Sequence, residues 1–129
     1  MEIINYKASG LNPGITLNTE TNEFRFFGKS CPENVVEFYA PIINWLEEYK
    51  TNALEKTVFE FNLEYYNTAS SKILFVIMQK LEAIKESGKE VVIKWYYPED
   101  DEALEEAGEE YDDLIDVDFE LIATESSED

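Results

Sequence analysis

Hydrophobic and polar residues alternate with two different periods along this chain. Strict alternation over residues 57–67 predicts a strand with one polar and one buried face, the latter formed by Phe59, Phe61, Leu63 and Tyr65. Residues 15–18 and 23–27 alternate on either side of a polar turn at 19–22 and predict a hairpin, which Gly28 ends. The apolar runs 89–97 and 117–123 predict two more strands.

Three other segments repeat their apolar residues every three to four positions, as helices do. The first helix is predicted over residues 30–51, with Ser30 or Cys31 as its N-cap and Pro41 disturbing one face. The second runs from about Thr68 to Glu86, and Gly88 stops it. The third is predicted over residues 99–114, with an inner side formed by Leu104, Ala107, Tyr111 and Leu114.

The order of these elements is hairpin, helix, strand, helix, strand, helix, strand. Strand–helix–strand units with short connections favour parallel neighbours joined by crossover helices. We therefore predict an α/β fold, a mixed β-sheet of about five strands layered with about three helices. Residues 1–123 should form a single domain, and residues 124–129 a disordered acidic tail.

The charge of the chain is strongly asymmetric. The net charge is −19, and residues 95–129 contain 16 acidic residues and no Lys or Arg. Such a field repels phosphate backbones and anionic lipids, so we expect neither a nucleic acid nor a membrane as partner, and favour a protein with a basic face. The longest apolar run is six residues, Ile73 to Met78, and the start of the chain lacks the features of a secretory signal, so a cytoplasmic location is expected.

The sequence lacks the residues that most catalytic mechanisms require. The chain has no histidine and a single cysteine, Cys31, which removes histidine-based triads, His-ligated zinc and thiolate clusters. It has no glycine-rich phosphate loop, and its acidic segment lacks the order of a calcium loop. Three minor alternatives stay open: a cation between Asp112 and Asp116, carboxylate acid–base catalysis, and a reactive Cys31 at a helix start. We predict no enzyme, cofactor or metal.

The stretch Asn67-Thr68-Ala69-Ser70-Ser71-Lys72 joins a predicted strand to a predicted helix. One interpretation is purely structural, with Asn67 or Thr68 as an N-cap. The other is functional. A phosphate on the exposed Thr68 hydroxyl would meet the free N–H groups of Ala69, Ser70 and Ser71 and the positive helix end, with Lys72 as a counter-charge.

Three longer stretches, 28–49, 59–82 and 91–122, carry a resemblance to a known family. Their most specific signatures are "PEN…F…P…W…Y", "YYNTASSK" and "WYY…DD…EAGE". With them the chain resembles the SiaC family of bacterial regulatory phosphoproteins, domains similar in fold to the STAS-like (SpoIIAA-like) anti-sigma-factor antagonists.

The resemblance implies a phosphorylation site and a set of partners. The family's modified threonine falls on Thr68, and the serine that usually follows it is Ala69 here, which leaves Ser70 and Ser71 as fallback acceptors. The family implies an anti-sigma-type Ser/Thr kinase, a metal-dependent Ser/Thr phosphatase, and an effector such as a diguanylate cyclase. The alternative is a constitutive acidic interaction domain in which Thr68 is only a helix cap.

Overall fold

The computed structural model describes residues 1–125 of the chain. These residues form six strands and three α-helices. In chain order the elements are β1 (Ile4–Tyr6), β2 (Gly14–Asn18), β3 (Glu23–Ser30), α1 (Val35–Lys50), β4 (Lys56–Tyr66), α2 (Thr68–Glu86), β5 (Glu90–Pro98), α3 (Glu102–Leu114) and β6 (Asp118–Thr124).

All six strands belong to one mixed sheet in the order β1-β2-β3-β4-β5-β6. The pairs β1–β2 and β2–β3 are antiparallel, whereas β3, β4, β5 and β6 pair in parallel. Because crossover connections are right-handed and the strand order advances in one direction, α1, α2 and α3 all cover the same face of the sheet. The predicted α/β class with a mixed sheet and three helices is confirmed.

The hydrophobic pattern predicted five of the six strands and missed β1. Ile4 pairs with Leu17 and Tyr6 with Ile15, and the Trp45 indole N–H donates to the carbonyl of Glu2 at 2.6 Å. Three residues are too few to establish a period, so only pairing with β2 and contact with α1 define this strand.

Aromatic side chains fill the layer between the sheet and the helices. On β3 and β4 the rings of Phe24, Phe26, Phe59 and Phe61 are fully or almost fully buried, and the centroids of Phe26 and Phe61 are 5.2 Å apart. From α1, Tyr39 stacks on Phe26 at 6.1 Å. This rigid layer fixes the strands whose ends carry the site described below.

Two helix starts differ from their predictions. The first helix begins at Val35 with Asn34 as its cap, not Ser30 or Cys31, and the Asn34 side chain accepts from the Glu37 N–H at 3.1 Å. The strand β3 continues past Gly28 to Ser30, because pairing with β4 extends it. The third helix begins at residue 102 and not at 99.

A bulge in β4 reverses the predicted side of Tyr65. Gly28 lies opposite Leu63, but the next residue, Lys29, lies opposite Tyr65, so Glu64 is an extra residue in β4. The extra residue resets the alternation, and the Tyr65 side chain is 57% exposed although it was predicted to be buried. The side chain of the following tyrosine turns inward instead.

The last strand extends one residue past position 123, where it was predicted to end. Thr124 is the last residue of β6, and its carbonyl accepts from the Glu99 N–H at 2.8 Å. The rest of the predicted tail falls mostly on residues 126–129, which lie outside the described residues. Within residues 1–125, none of the helices has the length and hydrophobicity of a membrane-spanning segment.

Candidate functional site

Three helix N-termini meet at one edge of the sheet. The strands β3, β4 and β5 are parallel, and each is followed by a helix whose cap is Asn34, Asn67 or Asp101. Each cap side chain accepts a backbone N–H from the first turn of its own helix. This carboxyl edge is where open α/β sheets usually bind ligands or partners.

At the start of α2, Asn67 is the cap and Thr68 is the first helical residue. The Asn67 side-chain oxygen accepts from the Ser70 N–H at 2.9 Å, and the Asn67 carbonyl accepts from the Ser71 N–H at 3.0 Å. Two of the three N–H groups predicted to meet a phosphate are therefore already bonded. Among residues 1–125 the N–H groups of Thr68 and Ala69 form no hydrogen bond, so these two are the donors left at this helix end.

The hydroxyl of Ser70 is buried and unsuited to modification. Ser70 is 0% exposed, and its Oγ accepts from the Ser30 Oγ at 3.0 Å. The Ser30 Oγ also lies 2.6 Å from the Tyr39 hydroxyl, and burial raises the pKa of Tyr39 to about 12. This three-residue network ties the first turn of α2 to β3 and α1. Sequence reasoning did not identify Ser30 and Tyr39 as its members.

Ser71 and the third helix brace the same turn. The Ser71 Oγ donates to the Thr68 carbonyl at 2.7 Å, and the Ser71 carbonyl accepts from the Tyr111 hydroxyl at 2.8 Å. Burial raises the pKa of both Tyr66 and Tyr111. Both phenols are therefore neutral at physiological pH. Tyr111 thus connects α3 to the corner, a contact between distant segments that no local pattern predicts.

The exposed groups at this corner are Thr68, Ala69 and Lys72. Thr68 and Lys72 are separated by one helical turn and share one side of α2. Within residues 1–125, the ion pairs use Lys56, Lys80, Lys85 and Lys89 and leave Lys72 without a carboxylate partner. The site therefore presents a free hydroxyl, two N–H donors and a cation on an acidic protein.

The cap assignment makes a prediction for stability. Asn67→Ala should lower the free energy of unfolding by about 1 kcal/mol, because it removes the acceptor of the Ser70 N–H. Thr68→Ala should change it by less than about 0.5 kcal/mol, since the Thr68 side chain is exposed and caps nothing. Urea unfolding followed by circular dichroism measures both. A larger loss for Thr68→Ala than for Asn67→Ala would contradict the assignment.

The other candidate residues are not assembled into a site. Cys31 is partly exposed, and its backbone N–H donates to the Leu11 carbonyl at 2.7 Å. Asp116 pairs with Lys85 at 3.2 Å. Within residues 1–125, acidic and thiol side chains form no group of three or more that could hold a metal ion.

Comparison with known proteins gives one family and several related structures. The family model described as SiaC family regulatory phosphoprotein matches residues 6–124. An uncharacterized protein of Pseudomonas aeruginosa strain UCBPP-PA14 is 28% identical over 99 residues, which cover 77% of this chain and 79% of that protein.

Two crystal structures from Pseudomonas aeruginosa are similar over nearly the whole chain. Apo-SiaC superposes with a TM-score of 0.86 at 25% identity, covering 95% of this chain and 100% of that chain. A chain in the structure of diguanylate cyclase SiaD in complex with its activator SiaC superposes with a TM-score of 0.87 at 25% identity, covering 94% of this chain and 99% of that chain.

Proposed function

This chain belongs to the SiaC family of regulatory phosphoproteins, and from this membership we propose that reversible phosphorylation of Thr68 controls its binding to a partner protein. The family makes the chain a regulatory protein and not an enzyme. The partner that we propose is a diguanylate cyclase, because the similar SiaC is the activator of diguanylate cyclase SiaD. A kinase and a metal-dependent phosphatase would set the phosphorylation state.

The observation that carries this proposal is that Asn67 caps the helix while the neighbouring Thr68 is exposed. Asn67 caps the helix, and the exposed Thr68 hydroxyl is not needed for capping. Ser70 is buried in a hydrogen-bond network, and Ser71 donates its hydroxyl to a backbone carbonyl. Thr68 is therefore the hydroxyl at this corner that is both exposed and free of a hydrogen bond within residues 1–125.

The corner also suits the phosphorylated state. A phosphate on Thr68 would lie at the positive end of α2, close to the N–H groups of Thr68 and Ala69, and Lys72 would be one turn away. It adds up to about two negative charges at the carboxyl edge of the sheet. A partner that covers this edge would have to bury or displace that charge. The structure of the domain need not change for binding to change.

The alternative function, a constitutive acidic interaction domain, rests on the charge of α3 and the residues after it. Within residues 1–125, the segment after Lys94 contributes acidic residues and no base. Under this alternative, modification at the corner does not occur and binding is unregulated. The form of this alternative in which Thr68 is itself the helix cap is wrong, because Asn67 is the cap. What remains of the alternative is an exposed Thr68 that is not modified.

Site mapping tests the phosphorylation directly. The chain is incubated with ATP and a candidate anti-sigma-type kinase from the same genome, and peptide mass spectrometry locates the phosphate. We expect modification on Thr68, its loss in Thr68→Val, and its persistence in the matched control Ser71→Ala. A metal-dependent phosphatase from the same genome should remove it.

Phosphate on Ser71, or labelling of Thr68→Val at the wild-type level, would contradict the proposed acceptor. A kinase that labels its other substrates but leaves this chain unmodified would favour the constitutive alternative.

A further inference from the structure

An open apolar groove lies between α2 and α3, and we call it the α2–α3 groove. It has a volume of about 340 Å³, and its apolar lining consists of Tyr66, Phe75, Ala107, Tyr111 and Leu114. The Tyr111 hydroxyl already donates to the carbonyl of Ser71. What the groove offers a partner is therefore mainly ring and aliphatic surface.

The exposure of Leu114 is the clearest sign that no other element within residues 1–125 covers this apolar surface. It belongs to the predicted inner side of the third helix, yet its side chain is 65% exposed. Ala107, Tyr111 and Leu114 follow one another at helical spacing, so they form a continuous apolar stripe on α3 beside the groove. An exposed leucine alone means little, but one that continues an aromatic groove marks a contact surface.

One rim of the groove is uniformly acidic. Glu106, Glu110 and Asp113 follow the stripe on its solvent side, and all three are exposed. None of the ion pairs found within residues 1–125 involves them. The opposite rim carries Lys72. Among the described residues, the α3 rim of the groove therefore carries three unpaired negative charges, and the α2 rim carries one unpaired positive charge.

We propose that the α2–α3 groove binds an amphipathic helix of a partner protein whose basic residues lie along the α3 rim. Aliphatic side chains of that helix would pack on Phe75 and Leu114, as in other helix-in-groove complexes. Lysine or arginine side chains would face Glu106, Glu110 and Asp113. This goes beyond the proposed function, because it names the surface and the chemistry of the partner and does not require phosphorylation.

A synthetic peptide tests the groove on the unmodified chain. The probe is a labelled helix of about 18 residues, or five turns, with leucines at every third or fourth position and lysines along one flank. A scrambled peptide of the same composition keeps the charge but has no apolar face. We expect the amphipathic peptide to bind at least about tenfold more tightly by fluorescence anisotropy, with amide shift changes centred on Ala107 and Leu114.

Two matched triple variants separate the rim from net charge. Combining Glu106→Gln, Glu110→Gln and Asp113→Asn should weaken peptide binding by about tenfold. Combining Glu20→Gln, Glu23→Gln and Glu48→Gln removes the same charge from exposed positions elsewhere and should weaken it by less than about threefold. Leu114→Asp should weaken binding by about tenfold without unfolding the chain, because Leu114 is mostly exposed.

Equal binding of the two peptides, equal losses in the two triple variants, or unchanged binding by Leu114→Asp would each overturn the inference. So would the absence of measurable binding by the amphipathic peptide. None of these experiments uses a kinase, a phosphate or a cyclase. A negative result would therefore leave the Thr68 switch standing, and a failed phosphorylation assay would leave the groove standing.

Discussion

Phosphorylation of Thr68 is expected to weaken binding of the proposed diguanylate cyclase partner by about 30-fold or more, equivalent to about 2 kcal/mol. The Thr68 side chain is exposed at the carboxyl edge, so a partner docked there would cover it. A phosphate at that position must either lose its hydration or push the partner away. Isothermal titration of the cyclase with the phosphorylated and unmodified chains measures the difference.

Matched variants identify the cause of the weakening. Thr68→Val removes the hydroxyl, preserves the shape of the side chain, and should bind within about threefold of the wild type, because it introduces no charge. Thr68→Glu should weaken binding less than phosphate does, since it adds one charge and fewer acceptor oxygens. Thr21→Glu places the same charge on the exposed β2–β3 turn at the other edge of the sheet and should have little effect.

Two results would count against the switch. If phosphorylated and unmodified chains bind equally, the modification does not regulate this partner. If Thr21→Glu weakens binding as much as Thr68→Glu, the effect comes from net charge and not from the corner.

Gly108→Ala is expected to lower the free energy of unfolding by about 2 to 3 kcal/mol, although alanine is normally the better helix former. A Cβ atom at Gly108 would lie 2.5 Å from Leu121 Cδ2 and 2.5 Å from Trp95 Cδ1. Trp95 is only 1% exposed, and its indole N–H donates to the Leu104 carbonyl at 3.0 Å. The buried indole has no space to retreat, so α3 has to move away from the sheet, which also strains the bond between Trp95 and Leu104.

The control for this substitution is on the same helix. Ala103 is exposed, and Ala103→Gly should cost about 1 kcal/mol through helix propensity alone. Urea unfolding compares the two variants. A stabilising Gly108→Ala would show that α3 is not held against Trp95 as closely as the structure has it. A displaced α3 should also lengthen the hydrogen bond from the Tyr111 hydroxyl to the Ser71 carbonyl. The substitution would therefore also disturb the first turn of α2 at the candidate site.

Much of the fold follows from local patterns. The second helix has the predicted bounds, Thr68 to Glu86, because an asparagine cap and a glycine stop bracket a long apolar period. The parallel arrangement of β4, β5 and β6 follows from alternating strands and helices. The resemblance to the SiaC family, carried by "YYNTASSK" and "EAGE", is confirmed by the family match.

The features that local patterns missed or predicted wrongly depend on contacts between residues that are distant in the sequence. The strand β1 exists through pairing with β2, and the exposure of Tyr65 follows from a bulge that is defined by its partner β3. Leu114 has the helical spacing of a buried position, but it is the last residue of α3 and its side chain is exposed. Periodicity identifies the apolar side of an element and says little about whether another element covers it.

The candidate site shows the same division. By itself, the sequence determined a strand-to-helix corner with three hydroxyl residues and an acidic segment after Lys94, because caps, periods and charges are local properties. Only the tertiary structure decided which of these hydroxyls are buried and which are exposed. Ser70 is closed off by Ser30 and Tyr39, whereas Thr68 stays exposed beside the cap, since burial depends on which distant side chains pack against each position.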